Sequence, residues 1–206
     1  MSSFSFRQVM ATCFDDRQID ILQNACIGIA GCGGLGSNCA QALVRCGIGK
    51  LVIADFDVVE IGNLNRQTYL PIHLGRPKAE CLAEVLTAIN PDLQVTICAE
   101  KLHAESARKL FQGCKAVVEA FDSPEAKAML ASVFLKAECG YVTASGLAGY
   151  GNSDRIQVRQ LNANSWMVGD TKTGVEHGHK PYAPGVQIAA AKEADIILYY
   201  LLNQSM

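Results

Sequence analysis

Apolar and polar positions change their period many times along the chain, and each change marks a predicted element. Residues 5–24 carry the spacing of an amphipathic helix. ACIGIAG, at 25–31, is a short apolar run of buried-strand length that ends in glycine. Helical spacing resumes over 34–46, and KLVIAD at 50–55 is a second strand. After a loop over 56–74, the stretch GRPKAECLAEVLTAINP puts Ala79, Leu82, Ala83 and Leu86 on one helical face. Pro77 suits its first turn, and Asn90 and Pro91 stop it. LQVTICA, a helix near 104–112, KAVVEAF, a helix over 124–137 and YVTASG complete three more strand and helix alternations.

Strand, glycine turn, helix and strand form a right-handed βαβ unit, and its repetition predicts an α/β fold. The expected architecture is Rossmann-like, a mostly parallel sheet with helices on both faces. From Gly146 the alternation fails. GLAGYGNSDRIQVRQL and SWMVGD are expected to form a short, partly antiparallel extension. A loop over 169–185 follows, and a C-terminal helix over 187–202 closes the chain. With no repeat and no linker, 1–206 is expected to be one domain: an N-terminal helix (1–24), a nucleotide-binding core (25–146) and an extension with the closing helix (147–206).

Composition narrows the function classes. Half of the 206 residues are hydrophobic, enough for a full core, and a net charge of -2 gives no basic field for nucleic acid or anionic lipid. No nucleic-acid or membrane partner is expected. The nine cysteines include no CxxC pair, so neither a zinc knuckle nor a thioredoxin-like site is expected. Free thiols and the absence of a signal-like start favour a cytoplasmic location.

The chemistry starts at IAGCGGLGSN. Gly31, Gly33 and Gly36 fit a GxGxxG loop, and Gly34 adds a fourth glycine. Such a backbone turns sharply and lets an anion reach the amides at a helix amino terminus. Asp55 ends the second strand 19 residues after Gly36, where such units place an acid that takes ribose hydroxyls. Loop and acid alone serve NAD as well as ATP, so an NAD-dependent oxidoreductase stays open at this point. Three charges weigh against it. Arg66 follows the second strand, Lys78 lies in the first turn of the next helix where the dipole opposes it, and Asp122 ends the fourth strand. Each also has an ordinary reading, as a solvated arginine, a snorkelling lysine and a helix cap beside Ser123. Together they lie on carboxyl-edge loops of one sheet, and two cations with a cation-binding carboxylate suit a reacting triphosphate.

GCGGLGSN, ADFDVVEIGNLNRQ, GRPKAE, INP and EAFD together resemble the ThiF/MoeB/HesA family, the adenylating enzymes of ubiquitin-like sulfur carriers. VVEAFDSPEAK, ASGLAGYGNSD and AAAKEADI are most similar to its short thiamine-pathway branch. The resemblance implies an adenylyltransferase that uses ATP and Mg2+. Its substrate would be the terminal carboxylate of a small carrier ending in Gly-Gly, in thiamine thiazole biosynthesis or in a molybdopterin-type pathway. It implies that Gly31, Gly33, Gly34 and Gly36 border the phosphates and that Asp55 binds ribose, with Asp57 and Asn63 nearby. Arg66, Gln67 and Lys78 would contact phosphates, and Asp122 would engage magnesium. It also implies a homodimer in which an amino-terminal arginine, Arg7 or Arg17, completes the neighbouring site. The paired CxxC motifs of larger relatives are missing, so no zinc is expected. Cys139 is the last cysteine, with none in the final 67 residues, which leaves a covalent carrier intermediate open and the first half-reaction as the step implied. The segment from Gly146 to Asp170 and the loop with His177 and His179 would wall a groove for the carrier tail. A non-catalytic ATP-binding regulator is the remaining alternative.

Overall fold

The computed structural model describes residues 5–174 and 180–203. Two short helices open it, α1 (Phe6–Met10) and α2 (Asp16–Asn24), where the sequence pattern suggests one. The break has a local cause: Asp15 is extended, and its carboxylate accepts a hydrogen bond from the Gln18 amide, starting a new helix with its own cap.

The alternation then runs as β1 (Cys26–Ala30), α3 (Gly34–Arg45), β2 (Lys50–Ala54), α4 (Lys78–Ile89), β3 (Gln94–Cys98), α5 (Ala104–Leu110), β4 (Ala116–Glu119), α6 (Pro124–Phe134) and β5 (Gly140–Ala144). These five strands pair in parallel. β6 (Gln157–Asn162) and β7 (Ser165–Gly169) form an antiparallel pair, and β7 joins β5 in parallel. The sheet therefore has seven strands in the order β3-β2-β1-β4-β5-β7-β6. The extension continues the main sheet rather than forming an appendage.

The closing helix α7 (Ala183–Asn203) starts four residues earlier than the apolar pattern implies, with Pro184 in its first turn. It packs chiefly along α3 and buries Val186, Ala189, Ala190, Ile197 and Leu201. One apolar core fills this face of the sheet together with α1 and α2. A second, built on Phe111, Leu130, Phe134 and Tyr141, fills the face under α5 and α6. Among the described residues no helix is long and apolar enough to cross a membrane.

The strand order reverses between β1 and β4, because β2 and β3 lie on one side and β5 to β7 on the other. Chains leaving adjacent strands in opposite directions open a crevice at the carboxyl edge, and in open α/β sheets ligands bind there.

Candidate functional site

The loop from β1 to α3 stands at that crevice. Gly31 has φ +99, a left-handed value that favours glycine. A Cβ on Gly36 would sit 1.8 Å from the Gly31 carbonyl oxygen, so the first turn of α3 passes directly over the end of β1. This contact is why the third glycine of the loop has no side chain. It presses the amino terminus of a 12-residue helix, with its unpaired amides, to the crevice mouth.

Asp55 braces the loop. One carboxylate oxygen accepts from the Cys32 amide at 2.6 Å and the other from the Asp57 amide at 2.8 Å. Burial raises its carboxyl above the ordinary value, and the two amides and Lys78 pull it back. A carboxylate has about four acceptor sites, so two remain for hydroxyls.

Lys78 is the first residue of α4, and its ammonium is buried 2.8 Å from Asp57. The backbone repeats the connection, since the Lys78 amide donates to the Asp57 carbonyl at 2.9 Å. Tyr69 sits beneath, its hydroxyl 2.7 Å from the Cys32 carbonyl oxygen and 3.2 Å from that of Lys78. Arg66 lies across Gly34, its Cγ 3.6 Å from where a Cβ on that residue would be. Its guanidinium donates to the Gly62 carbonyl and to Asn65. Asn38 ties the pieces together by donating to the carbonyls of both Gly34 and Arg66. Gln67 lies beside Gly33, and its Oε1 is buried without a partner. An orphaned acceptor of this kind is costly unless a donor meets it.

The structure thus brings Gly31, Gly33, Gly34, Gly36, Asp55, Asp57, Arg66, Gln67 and Lys78 to one place. Two predicted residues stand differently. The Asn63 side chain accepts from the Glu60 amide at 2.9 Å and caps the short 3-10 turn Ile61–Asn63, so it orders the loop that carries Arg66. Asp122 is exposed beyond β4 and, among the described residues, makes no hydrogen bond or ion pair; Ser123 alone caps α6. No cluster of three metal-ligating side chains occurs among the described residues. Arg7 is paired with Asp16 and Asp20 of α2. His177 and His179 lie outside the described residues.

Sequence reasoning passed over Asn38 and Tyr69. Asn38 had a signal, a polar residue directly after the glycine motif in the first turns of α3; Tyr69 had none. It also passed over a second set that shapes the extension. Arg155 pairs with Asp170 at 2.6 Å and donates to Thr173 and to the Ala148 carbonyl. The bracket holds open a groove of about 700 Å³ lined by Tyr150, Asn152, Arg155, Lys180 and Tyr182. A smaller cavity, about 420 Å³, lies past the end of β3 against Cys98, Leu102 and Leu110. Lys101, on its rim, sits 6.0 Å from the ring centre of Phe56.

The fold and part of the sequence are shared with known proteins. The chain is 33% identical over 153 residues to the tRNA threonylcarbamoyladenosine dehydratase of Escherichia coli (strain K12), covering 73% of this chain and 57% of that protein. It therefore spans little more than half the length of that relative. A shorter stretch, 73 residues, is 47% identical to the ubiquitin-like modifier-activating enzyme 5 of Dictyostelium discoideum, covering 35% of this chain and 19% of that one. The solved structure of the E. coli dehydratase, TcdA, in complex with ATP superposes with a TM-score of 0.89 at 25% identity, over 100% of this chain and 98% of that one. E. coli MccB with AMPCPP and MccA superposes with a TM-score of 0.69 at 25% identity, over 89% and 57%. The family model described as ThiF family matches residues 6–177, most of the chain, and the protein belongs to the ThiF family.

Proposed function

We propose that the protein is an adenylyltransferase: it binds ATP in the crevice between β1 and β4 and transfers AMP to a substrate carboxylate. The observation that carries this reading is the buried Lys78 ammonium, set with Arg66 beside a glycine loop and a ribose-type acid. Solved relatives that hold ATP, AMP or AMPCPP support the nucleotide. An NAD-dependent oxidoreductase would use the loop and Asp55 but leaves both cations without a task.

In this reading the amides at the start of α3 meet the phosphates, Asp55 takes the ribose hydroxyls, and Gln67 Oε1 accepts a donor from the ligand. The substrate carboxylate is ionised at neutral pH and needs no general base. Its oxygen forms a bond to the α-phosphorus as the bond to the bridging oxygen breaks, and pyrophosphate leaves. Arg66 and Lys78 stabilise the charge that moves onto the pyrophosphate. Asp122, exposed at the crevice rim, would hold Mg2+ together with phosphate oxygens, and the ion would screen their charge.

The substrate we favour is the carboxyl tail of a small ubiquitin-like carrier ending in Gly-Gly, as in thiamine thiazole synthesis, lying in the groove between Tyr150 and Tyr182. A homodimer completing each site with a neighbour's arginine belongs to the same reading, as does a cytoplasmic location. Cys139 sits before the start of β5, about 15 Å along the strand from its carboxyl end, and Cys32 of the glycine loop is buried, so this reading stops at the acyl-adenylate. A second reading rests on the full-length superposition with TcdA: the carboxylate would be that of a threonylcarbamoyl group on tRNA.

ATP–pyrophosphate exchange with Mg2+ tests these readings. Exchange that requires an intact Gly-Gly carrier supports the first; exchange that requires tRNA bearing threonylcarbamoyladenosine supports the second. ATP binding with no exchange under either condition would overturn adenylation of both substrates and leave an ATP-binding regulator.

A further inference from the structure

The amino edge of the sheet, opposite the crevice, carries chemistry that adenylation does not use. Cys26 begins β1 and Cys114 precedes β4, and their sulfurs are 3.7 Å apart across 88 residues of sequence. The strands hold them there: the Lys115 amide donates to the Cys26 carbonyl at 2.7 Å, fixing the chain one residue beyond Cys114. Cys26 is half-buried, and Lys50 of β2 is its register partner on the other side. Cys139 lies next in the row, since the Gly140 amide donates to the Lys115 carbonyl.

We propose that Cys26 and Cys114 form a reversible disulfide site, oxidised by a hydroperoxide and reduced by a small dithiol. Cys26 is the attacking sulfur, because it is half-buried where Cys114 is buried and it stands beside Lys50. The hydrogen bond shared with Cys114 and the nearby Lys50 ammonium draw its thiol down, against burial. The Cys26 thiolate attacks the terminal peroxide oxygen, the O–O bond breaks, and Cys26 becomes a sulfenic acid as alkoxide, or hydroxide from hydrogen peroxide, leaves and takes up a proton. Cys114 then attacks the Cys26 sulfur, the S–O bond breaks, and one water leaves. The sum is two thiols and one hydroperoxide giving one disulfide, one water and one alcohol, or two waters with hydrogen peroxide.

Closing the pair needs the sulfurs to approach from 3.7 Å to about 2.05 Å. The chain around Cys114 is suited to such a shift. It is a turn outside the ladder, between the end of α5 and Lys115, with Gly113 at φ +84. The cross-link would tie together the two strands that flank the crevice.

The test is mapping of the full-length protein. Reduced protein is treated with one equivalent of hydrogen peroxide at neutral pH, blocked with N-ethylmaleimide and digested without reductant. The expected result is a drop in free thiols from nine to seven, with a peptide pair joining Cys26 to Cys114 that dithiothreitol releases. In Cys114→Ser, the Cys26 sulfenic acid should persist and take a dimedone label. Oxidation confined to the exposed Cys13, with both Cys26 and Cys114 recovered as maleimide adducts, would overturn the proposal. So would a Cys114→Ser protein that carries no dimedone at Cys26.

Discussion

Lys78 is the residue at which the chain departs most from what its local environment favours. A buried ammonium in a helix's first turn is opposed by the dipole and by desolvation; Asp57 pairs with it and Asp55 lies near enough to feel its charge. Lys78→Ala and Arg66→Ala should each lower ATP–pyrophosphate exchange about a hundredfold to a thousandfold. Both variants should unfold within about 1 kcal/mol of the parent, because Asp57 is half-exposed and Arg66 caps only its own loop. Exchange rates with urea midpoints check this, and near-normal exchange in both variants would refute the roles. Lys78 and Arg66 were legible in the sequence only together: each alone has an ordinary reading, and their falling with Asp122 at the carboxyl edge of one sheet singled them out. Gln67 needed the family resemblance, since nothing in its spacing reveals that Oε1 ends buried and unpaired.

At the scale of elements, the contact of α3 with β1 and the packing of α7 on α3 each make a prediction. Gly36→Ala should cost about 3 kcal/mol or more and abolish ATP binding, since backbone rather than a flexible side chain blocks the new methyl group. Gly62→Ala, which meets nothing within 4 Å, should do neither, and urea melts with nucleotide titration separate the two. In α7, Glu193 is buried with both oxygens unpartnered, and burial first, then Glu119, raises its carboxyl to about 8 despite Lys127. The folded protein then holds a proton that the unfolded chain releases near pH 4.5, so this residue makes stability fall as pH rises from about 4.5 to 8 and level off above. Glu193→Gln should remove that fall; a parallel pH dependence of the urea midpoint in parent and variant would contradict it. The sequence places α7 correctly because its apolar residues are dense, yet AAAKEADI looks amphipathic and hides that Glu193 faces the core. The break between α1 and α2 was hidden for a different reason: apolar spacing continues through residues 11–15, and only the cap at Asp15 interrupts the helix.

For the whole molecule, a net charge of -2 sets an expectation for whatever substrate docks. A carrier tail in the Tyr150 groove should give a KM that changes little between 50 and 200 mM salt, whereas phosphate-dominated binding of tRNA would weaken steeply over the same range. Measuring KM across that range distinguishes the two substrates without structural work. The parallel core was readable from four successive strand–helix–strand units. The placement of β7 beside β5 was not, because a strand buried on both faces and a strand of a separate hairpin have similar local patterns. The reversal of strand order between β1 and β4 has a consequence for how such a molecule diversifies. Residues 31–78 reach the crevice from one side, while the groove lined by Tyr150, Asn152, Arg155, Lys180 and Tyr182 belongs to the other half of the chain. Each half can therefore accumulate changes under its own selection, so one nucleotide chemistry can be inherited intact by lineages whose acceptors share no resemblance.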